Sequence, residues 1–137
     1  LNPAPAAVLP DDIWQYVDYF VPNQSETAFY TGIYPSDEAT AAKAVDVLRK
    51  MGVGNVVITM GSVGAMAFAG SETVFAEACK VAAVDTTAAG DTFVGAMVTL
   101  AEGATVREAM AFANKASSVT VTRKGAQQAI PYRNEIM

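Results

Sequence analysis

The segment from residue 36 to residue 61 constrains the fold of this chain more than any other. It begins with SDEATAAKAVDVLRKMG, a helical pattern in which Ser36 or Asp37 is the predicted N-cap and Gly52 the predicted stop. The predicted buried stripe consists of Ala41, Ala44, Val45 and Leu48. The run NVVITMG follows at once and is continuously apolar, which is typical of a strand buried on both faces. This order predicts a parallel sheet covered by helices.

The remaining segments extend the same alternation. YFVPN predicts a short strand, NQSETAFYTG a helix, GAMAFAGSETVFAEA a hairpin turning at Gly70-Ser71, and KVAAVDTT a strand that runs into a loop. Two further helices are predicted, one from about Asp91 to Glu102 and a long one in TVREAMAFANKASSVTVTR that ends before Gly125. The chain therefore reads as an α/β protein with a largely parallel sheet flanked by helices.

Ligands of such sheets bind at the carboxyl ends of strands, where loops lead into helices. Polar loops fall at three predicted strand ends, at residues 23–26, 59–64 and 85–91. If the strands are neighbours, the three loops line one crevice. The sequence thus predicts a single candidate site.

Composition limits the chemistry and the partners of this site. The 137 residues suit one domain, and 52% of them are hydrophobic. The absence of histidine excludes a Ser-His-Asp triad, a Cys-His pair and imidazole metal ligands. Cys79 is the single cysteine, so an internal disulfide is excluded and a reducing, cytoplasmic setting is expected.

Charge and hydropathy exclude two further classes of partner. The net charge is -5 and the basic residues are scattered, so we expect no nucleic-acid partner. No apolar run approaches the roughly 20 residues that span a bilayer, so we expect no membrane partner. The first residues, LNPAPAAVLPDD, lack an initiator Met and the features of a signal peptide. We interpret the chain as a piece of a longer protein.

Two of the three loops have structural explanations that compete with functional ones. In NQSE, Asn23 and Glu26 have the spacing of a capping box, but they are also suited to orient water around Mg²⁺ and a phosphate. In TMGSVG, the glycines on both sides of Ser62 predict either a strand-to-hairpin turn or a backbone that approaches an anion or a base closely. Taken alone, both loops are better explained structurally.

The third loop, AVDTTAAGDTFVG, is undecided between two interpretations. Asp91 is either an ordinary helix cap or a carboxylate that accepts a proton from a hydroxyl group. Only small residues precede it, so the first N–H groups of the helix are accessible to an anion. Asp85 and the hydroxyls of Thr86 and Thr87 also serve as caps in the simpler interpretation.

Together, the three loops resemble the motifs of the ribokinase-like carbohydrate kinase family, also called PfkB. DTTAAGDTFVGA resembles its D-T-x-G-A-G-D signature, PNQSE its N-x-x-E motif and ITMGSVG its T-x-G-x-x-G loop. LNPAPA and VTRKGAQ resemble the ribokinase branch. The resemblance covers nearly the whole chain. It implies that residues 1–137 form the C-terminal, nucleotide-binding and catalytic part of a ribokinase-like domain, with the sugar-binding half and the lid outside this sequence.

The resemblance implies a role for each matching residue. Asp91 is the implied general base, and the N–H groups of Ala88, Ala89 and Gly90 are implied to bind the transferring phosphoryl group. The implied site for ATP and Mg²⁺ consists of Asn23, Glu26, Thr59, Gly61, Ser62, Gly64, Gly90 and Asn114. The implied site for an activating monovalent cation, K⁺, consists of Asp85, Thr87, Thr120, Arg123, Gly125 and Ala129, mostly through backbone carbonyls. The chain departs from the family pattern at Ala88, where glycine is usual, and at Ala129, where some relatives have serine.

The implied activity is ATP-dependent phosphorylation of a sugar hydroxyl, with conversion of D-ribose to D-ribose 5-phosphate as the first expectation and a homodimer as the expected state of the full-length protein. Three alternatives remain. The chain alone is a nucleotide-binding module without catalysis, or the kinase acts on another sugar or a nucleoside. A purely structural α/β domain requires all three motifs to be coincidental caps and turns.

Overall fold

A computed structural model describes residues 1–136 of the chain. The structure divides into two compact units. The first contains Leu1–Gly61 and Met66–Phe75, and the second contains Ser62–Ala65 and the chain from Ala76 onward. The α/β fold class predicted from the sequence is confirmed, because a sheet and flanking helices alternate along the chain.

The four strands form one sheet in the order β1-β2-β3-β4. Their bounds are Tyr19–Phe20 for β1, Asn55–Thr59 for β2, Gly64–Ala69 for β3 and Glu72–Glu77 for β4. β1 runs parallel to β2, with Phe20 opposite Val56. β3 and β4 are joined by the predicted turn at Gly70-Ser71, whose two residues are the usual length for an antiparallel hairpin. The middle of β2 is buried throughout, as its apolar run predicts.

The helices of the first unit begin and end where their caps predict. A 3-10 helix spans Asp11–Tyr16, α1 spans Gln24–Thr31 and α2 spans Glu38–Lys50. Asp37 is the N-cap of α2 and forms a capping box with Thr40. The predicted stripe of α2 is buried as expected: Ala41, Ala44, Val45 and Leu48. The core contains Trp14, Phe20, Val45, Leu48, Val56, Ile58, Met66 and Phe68.

The second unit is mainly helical. Its elements are α3 (Ala89–Ala96), a 3-10 helix (Met97–Glu102), α4 (Val106–Val121), a second 3-10 helix (Gln127–Ala129) and α5 (Arg133–Ile136). Thr105 and Glu108 form a capping box at the start of α4. α3 packs against the face of α4 that carries Ala109, Ala113 and Ala116, and these small side chains let the two helices approach closely.

The strand predicted in KVAAVDTT is wrong. Residues 80–87 have no strand structure, and Val81 and Val84 are exposed. The N–H groups of Val84 and Asp85 instead donate to the carbonyl of Val121, at 2.7 and 3.1 Å, so the last carbonyl of α4 satisfies these two N–H groups in place of a neighbouring strand. Apolar composition alone therefore misidentified an irregular segment.

The helix predicted from Asp91 to Glu102 also differs from the observed one. It begins two residues earlier, at Ala89, and changes to 3-10 geometry at Met97. Asp91 is therefore the third residue of the helix. Within residues 1–136, no helix combines the length and apolar character needed to cross a membrane.

Candidate active site

The first polar loop lies at the carboxyl ends of β1 and β2. Asn23, three residues after β1, forms a parallel bridge with Thr59, the last residue of β2, and the Thr59 N–H donates to the carbonyl of Pro22 at 2.9 Å. The parallel pairing of two short strands therefore brings two predicted site residues side by side. This is the edge of a sheet at which α/β proteins bind their ligands.

Asn23 and Glu26 form a complete capping box. The Glu26 N–H donates to Asn23 Oδ1, and the Asn23 N–H donates to Glu26 Oε2, both at 2.8 Å. The structural interpretation of this pair is thus confirmed. The second carboxylate oxygen, Glu26 Oε1, accepts no hydrogen bond within residues 1–136. Glu26 is only 8% exposed, but its Oε1 atom remains accessible to solvent. One oxygen of this carboxylate is therefore available to a ligand or its water shell.

Gly64 and Asn114 meet at the end of β4, in the second unit. Gly64 has a φ of 131°, and a Cβ at this position would collide with the carbonyl oxygen of Ala76. The Asn114 side-chain amide donates to the carbonyls of Ala76 and Glu77, at 3.0 and 3.1 Å. Packing against β4 therefore explains the glycine, and the amide protons of Asn114 fix the end of that strand. The predicted proximity of Asn114 to an adenine stays a prediction.

The side chain of Asp91 makes no hydrogen bond that would give it a structural role in the described part of the chain. The N-cap of α3 is Ala88, and no side chain caps this helix. Asp91 is exposed, and its carboxylate accepts no hydrogen bond from any residue that the structure describes. The cap interpretation of Asp91 therefore fails.

Free backbone donors lie next to this carboxylate. The N–H groups of Gly90 and Asp91 have no acceptor among residues 1–136, whereas the Ala89 N–H donates to the carbonyl of Thr86 at 3.2 Å. A Cβ added at Gly90 would meet nothing within 4 Å. The fold therefore leaves two donors and open space at the start of α3, an arrangement suited to an anion.

Asp85 connects the loop before α3 with the loop after α4. Its Oδ1 accepts the Thr87 hydroxyl at 2.5 Å and the Thr87 N–H at 2.9 Å, and its Oδ2 accepts the Gly125 N–H at 3.0 Å. The hydrogen bonds from the Thr87 hydroxyl, the Thr87 N–H and the Gly125 N–H, in that order, lower the pKa of Asp85 from 3.8 to about 2. Asp85, Thr87 and Gly125 are thus brought together.

Residues 1–133 match the pattern of the pfkB family carbohydrate kinases. The chain belongs to this family. It is 41% identical over 138 residues to the ribokinase of Haemophilus influenzae, and the match covers 100% of this chain and 45% of that protein. The chain therefore spans less than half the length of this relative.

Solved structures of pfkB-type kinases have the same fold. The ribokinase of Thermotoga maritima is 39% identical with a TM-score of 0.84, and the match covers 98% of this chain and 46% of that one. The Arabidopsis thaliana ribokinase complexed with ribose and ATP is 33% identical with a TM-score of 0.88, and the match covers 93% of this chain and 42% of that one.

The pfkB resemblance implies six residues at the cation site. In three of them the side chain is either bonded to another residue or has no atom that can bind a cation. The Thr120 hydroxyl is fully buried and donates to Thr92 Oγ1 at 3.0 Å. The Arg123 guanidinium pairs with Glu135 at 2.6 Å, and Ala129 is buried. At these positions only backbone carbonyls are suitable cation ligands. In the part of the chain that the structure describes, no three His, Cys, Asp or Glu side chains gather into a metal site.

The residues expected in one pfkB-type crevice are divided between the two units. Asn23, Glu26, Thr59 and Gly61 belong to the first, and the remaining predicted site residues belong to the second. Gly61 has a φ of 57°, which accounts for its identity, and Ser62 is exposed. A single crevice that contains all three loops stays a prediction.

Two hydroxyl side chains near Asp91 were not identified from the sequence. Thr92 Oγ1 donates to the carbonyl of Ala88 at 2.8 Å, and Ser117 Oγ donates to the carbonyl of Ala89 at 2.9 Å. The available signal was spacing: Ser117 and Thr120 follow Ala113 and Ala116 on the helix face that packs against α3, where apolar residues are expected.

Proposed function

We propose that this chain is the nucleotide-binding and catalytic part of an ATP-dependent sugar kinase. The observation that carries the proposal is the exposed Asp91 carboxylate, which has no hydrogen-bonding role in the fold and lies beside the free N–H groups of Gly90 and Asp91. In a pfkB family member, a base and an anion site at one helix start are the two elements that phosphoryl transfer to a hydroxyl needs.

In the proposed reaction, Asp91 accepts the proton of the sugar hydroxyl as its oxygen attacks the γ-phosphorus of ATP. The bond between that phosphorus and the β,γ-bridging oxygen breaks, and ADP leaves with the electron pair. The N–H groups of Gly90 and Asp91 donate to the transferring phosphoryl group, together with the positive end of the helix dipole. Proton removal by a positioned carboxylate contributes about 10²–10⁴-fold to such a rate.

The residues at the end of β2 fit an ATP-bound Mg²⁺. Glu26 Oε1 is a carboxylate oxygen without a hydrogen-bond partner in the described chain, and Asn23 and Thr59 lie beside each other at the same sheet edge. Mg²⁺ retains several water molecules, so a carboxylate and an amide that bind those waters suit it better than a cluster of direct ligands. When bound, the ion neutralises charge on the phosphates.

The loops joined by Asp85 are our proposed K⁺ site. The carboxylate fixes the Gly125 backbone to the Asp85–Thr87 turn, which holds neighbouring carbonyls in place. With the side chains of Thr120 and Arg123 engaged elsewhere, backbone carbonyls are the proposed ligands there and at Ala129.

We propose D-ribose as the sugar and D-ribose 5-phosphate as the product. The support is the sequence identity to ribokinases and the similarity to a ribokinase complexed with ribose and ATP. We further propose that the chain is the C-terminal part of the kinase, that the sugar-binding half and the lid lie outside this sequence, and that the full-length protein is a cytoplasmic homodimer.

The test is Asp91→Asn in the full-length protein, with Asp46→Asn, an exposed carboxylate on α2, as the matched control. We expect ribose-dependent ADP formation to fall about 10²–10⁴-fold in the Asp91 variant, because a positioned base is lost. Calorimetry should give an ATP affinity close to that of the wild type in both variants. Near-normal turnover in the Asp91 variant contradicts the assignment. ATP binding by the wild type without turnover on any sugar or nucleoside identifies a binding module instead.

A further inference from the structure

We propose that the hydroxyl groups of Thr92, Ser117 and Thr120 position the backbone donors of the phosphoryl site. The inference rests on the proposed function, because it concerns the same N–H groups at the start of α3. None of the three hydroxyls is expected to contact a substrate. Ser117 lies on the carbonyl side of the peptide group whose N–H, that of Gly90, faces the proposed anion, and Thr92 binds the carbonyl of the peptide group before it.

Ser117 acts on the peptide group that contains the free Gly90 N–H. Its Oγ donates to the carbonyl of Ala89 at 2.9 Å, across the interface between α4 and α3. That carbonyl belongs to the same planar peptide group as the Gly90 N–H, which is a free donor. The hydrogen bond at one end of the plane therefore fixes the direction of the donor at the other end. It also polarises the group, which strengthens the N–H as a donor.

Thr92 and Thr120 hold the preceding peptide group, whose Ala89 N–H donates to the Thr86 carbonyl, so they fix the start of the helix that carries the Gly90 donor. Thr92 Oγ1 donates to the carbonyl of Ala88 at 2.8 Å, and Thr120 Oγ1 donates to Thr92 Oγ1 at 3.0 Å. Both side chains are buried, with 5% and 0% exposure. The first two carbonyls at the start of α3 thus each accept a hydroxyl.

Local folding does not require these hydroxyls. The Ala88 carbonyl already accepts the Thr92 N–H at 2.9 Å, and regular helix geometry gives the Ala89 carbonyl the N–H four residues later. Each hydroxyl is therefore a second partner for a carbonyl that the helix already satisfies. A positioning role accounts for this second set of bonds.

The matched experiment compares Ser117→Ala with Ser118→Ala in the full-length protein. Ser118 lies on the same helix, but its hydroxyl donates to the Lys115 carbonyl of α4 itself, at 2.7 Å. Loss of an aligned donor in an oxyanion site costs about 10²–10³-fold in kcat, and its misalignment should cost less, so we expect kcat of the Ser117 variant to fall about tenfold. KM values for ATP and sugar should stay within about twofold, because ground-state binding is retained. Ser118→Ala should match the wild type, and Ser117→Thr, which retains a hydroxyl, should recover kcat.

Thermal unfolding and the NMR signal of the Gly90 amide separate a positioning role of Ser117 from a purely structural one. The higher helix propensity of alanine offsets part of the lost hydrogen bond, so Tm should fall only slightly in Ser117→Ala, and a roughly tenfold kcat loss in a protein that is still fully folded at the assay temperature separates positioning from folding. The amide ¹⁵N resonance of Gly90 should move in Ser117→Ala and stay in Ser118→Ala. A kcat within twofold of wild type in Ser117→Ala, or an equal loss in Ser118→Ala, overturns the proposal while leaving the kinase assignment intact. An inactive wild type overturns the assignment itself.

Discussion

The hydroxyl of Thr120 lies 3.0 Å from that of Thr92 and donates to it, and both side chains are buried. Thr92 in turn donates to the carbonyl of Ala88, so every proton of the pair has an acceptor. This link joins the last turn of the long helix α4 to the first turn of α3, four residues from the N-cap. It connects the helix packing of the second unit with the geometry of the proposed active site.

A double-mutant cycle on this pair should show strong coupling. Thr120→Val leaves Thr92 Oγ1 without its donor, and Thr92→Val leaves Thr120 with only the Ala116 carbonyl at 3.2 Å. We expect each single variant to lower the free energy of unfolding by about 1–2 kcal/mol. The double variant should cost less than the sum, because two apolar groups of matching shape then face each other. Urea unfolding measures the change in the free energy of unfolding for both single variants and the double variant. If the two single changes add up to that of the double variant, the two hydroxyls are independent.

Replacement of Gly90 should separate stability from activity. Its Cβ would meet nothing within 4 Å, and alanine favours a helix over glycine by about 0.5–1 kcal/mol in an interior position, so Gly90→Ala should raise Tm slightly. The added methyl group occupies the open space beside the free N–H, so phosphoryl transfer should fall by at least about tenfold, as for a displaced donor. A coupled ADP assay and thermal unfolding measure the two effects.

Gly95 provides the control for stability. It lies in the same helix, and a Cβ there also meets nothing within 4 Å. Gly95→Ala should raise Tm by a similar amount. A lower Tm in Gly90→Ala alone would mean that the fold requires glycine at position 90, and full activity in that variant would remove Gly90 from the phosphoryl site.

The contribution of Asp85 to stability should depend on pH in a defined direction. Hydrogen bonds from Thr87 and Gly125 lower the pKa of this carboxyl from 3.8 to about 2 in the folded protein. The folded state therefore holds the ionised form more strongly than the unfolded state does. The stabilisation is complete above about pH 4 and disappears as the pH falls towards about 2.

Thermal unfolding of the wild type and of Asp85→Asn between neutral pH and about pH 3 tests this direction. We expect the wild type to have the higher Tm at neutral pH and the difference to shrink on acidification. Thr87→Val removes one donor to the same carboxylate and so raises its folded-state pKa towards 3.8; the loss of stability on acidification should therefore be smaller in this variant and end at a higher pH. A Tm difference that does not change with pH would show that the Asp85 charge contributes nothing to folding.

The sequence was sufficient to predict those features of the fold that depend only on residues close together in the chain. The Asp37 cap, the buried stripe of α2 and the turn at Gly70-Ser71 follow from side chains within a few residues, and all three are observed. The sequence was insufficient where a distant element decides. Residues 80–87 resemble a strand in composition, but the carbonyl of Val121 takes their N–H groups. A local pattern contains no information on that partner.

The candidate site divides in the same way. Asn23 and Glu26 were found by spacing, because a capping box is local. The start of α3 was placed two residues late, because small residues without a side-chain cap leave no local signal. Ser117 was missed because the carbonyl that its hydroxyl binds, that of Ala89, lies 28 residues away in the sequence. Tertiary packing alone makes that contact.

Glu26→Gln should distinguish the cap from the proposed Mg²⁺ role of Glu26. Glutamine at the third position of a helix also completes a capping box, so the hydrogen bond to the Asn23 N–H can persist. The negative charge at Oε1 is lost, and with it the attraction for metal-bound water. We therefore expect little change in the free energy of unfolding but a several-fold rise in the Mg²⁺ concentration needed for half-maximal ADP formation.

Glu108→Gln is the matched control for this change. Glu108 forms the corresponding capping box with Thr105 at the start of α4, accepting the Thr105 N–H at 2.8 Å. Both substitutions remove one negative charge from a first helical turn, where the helix dipole favours it, so their effects on unfolding should be small and similar. Only the Glu26 variant should alter the Mg²⁺ dependence. If both variants keep the wild-type Mg²⁺ dependence, Glu26 is a helix cap and nothing more.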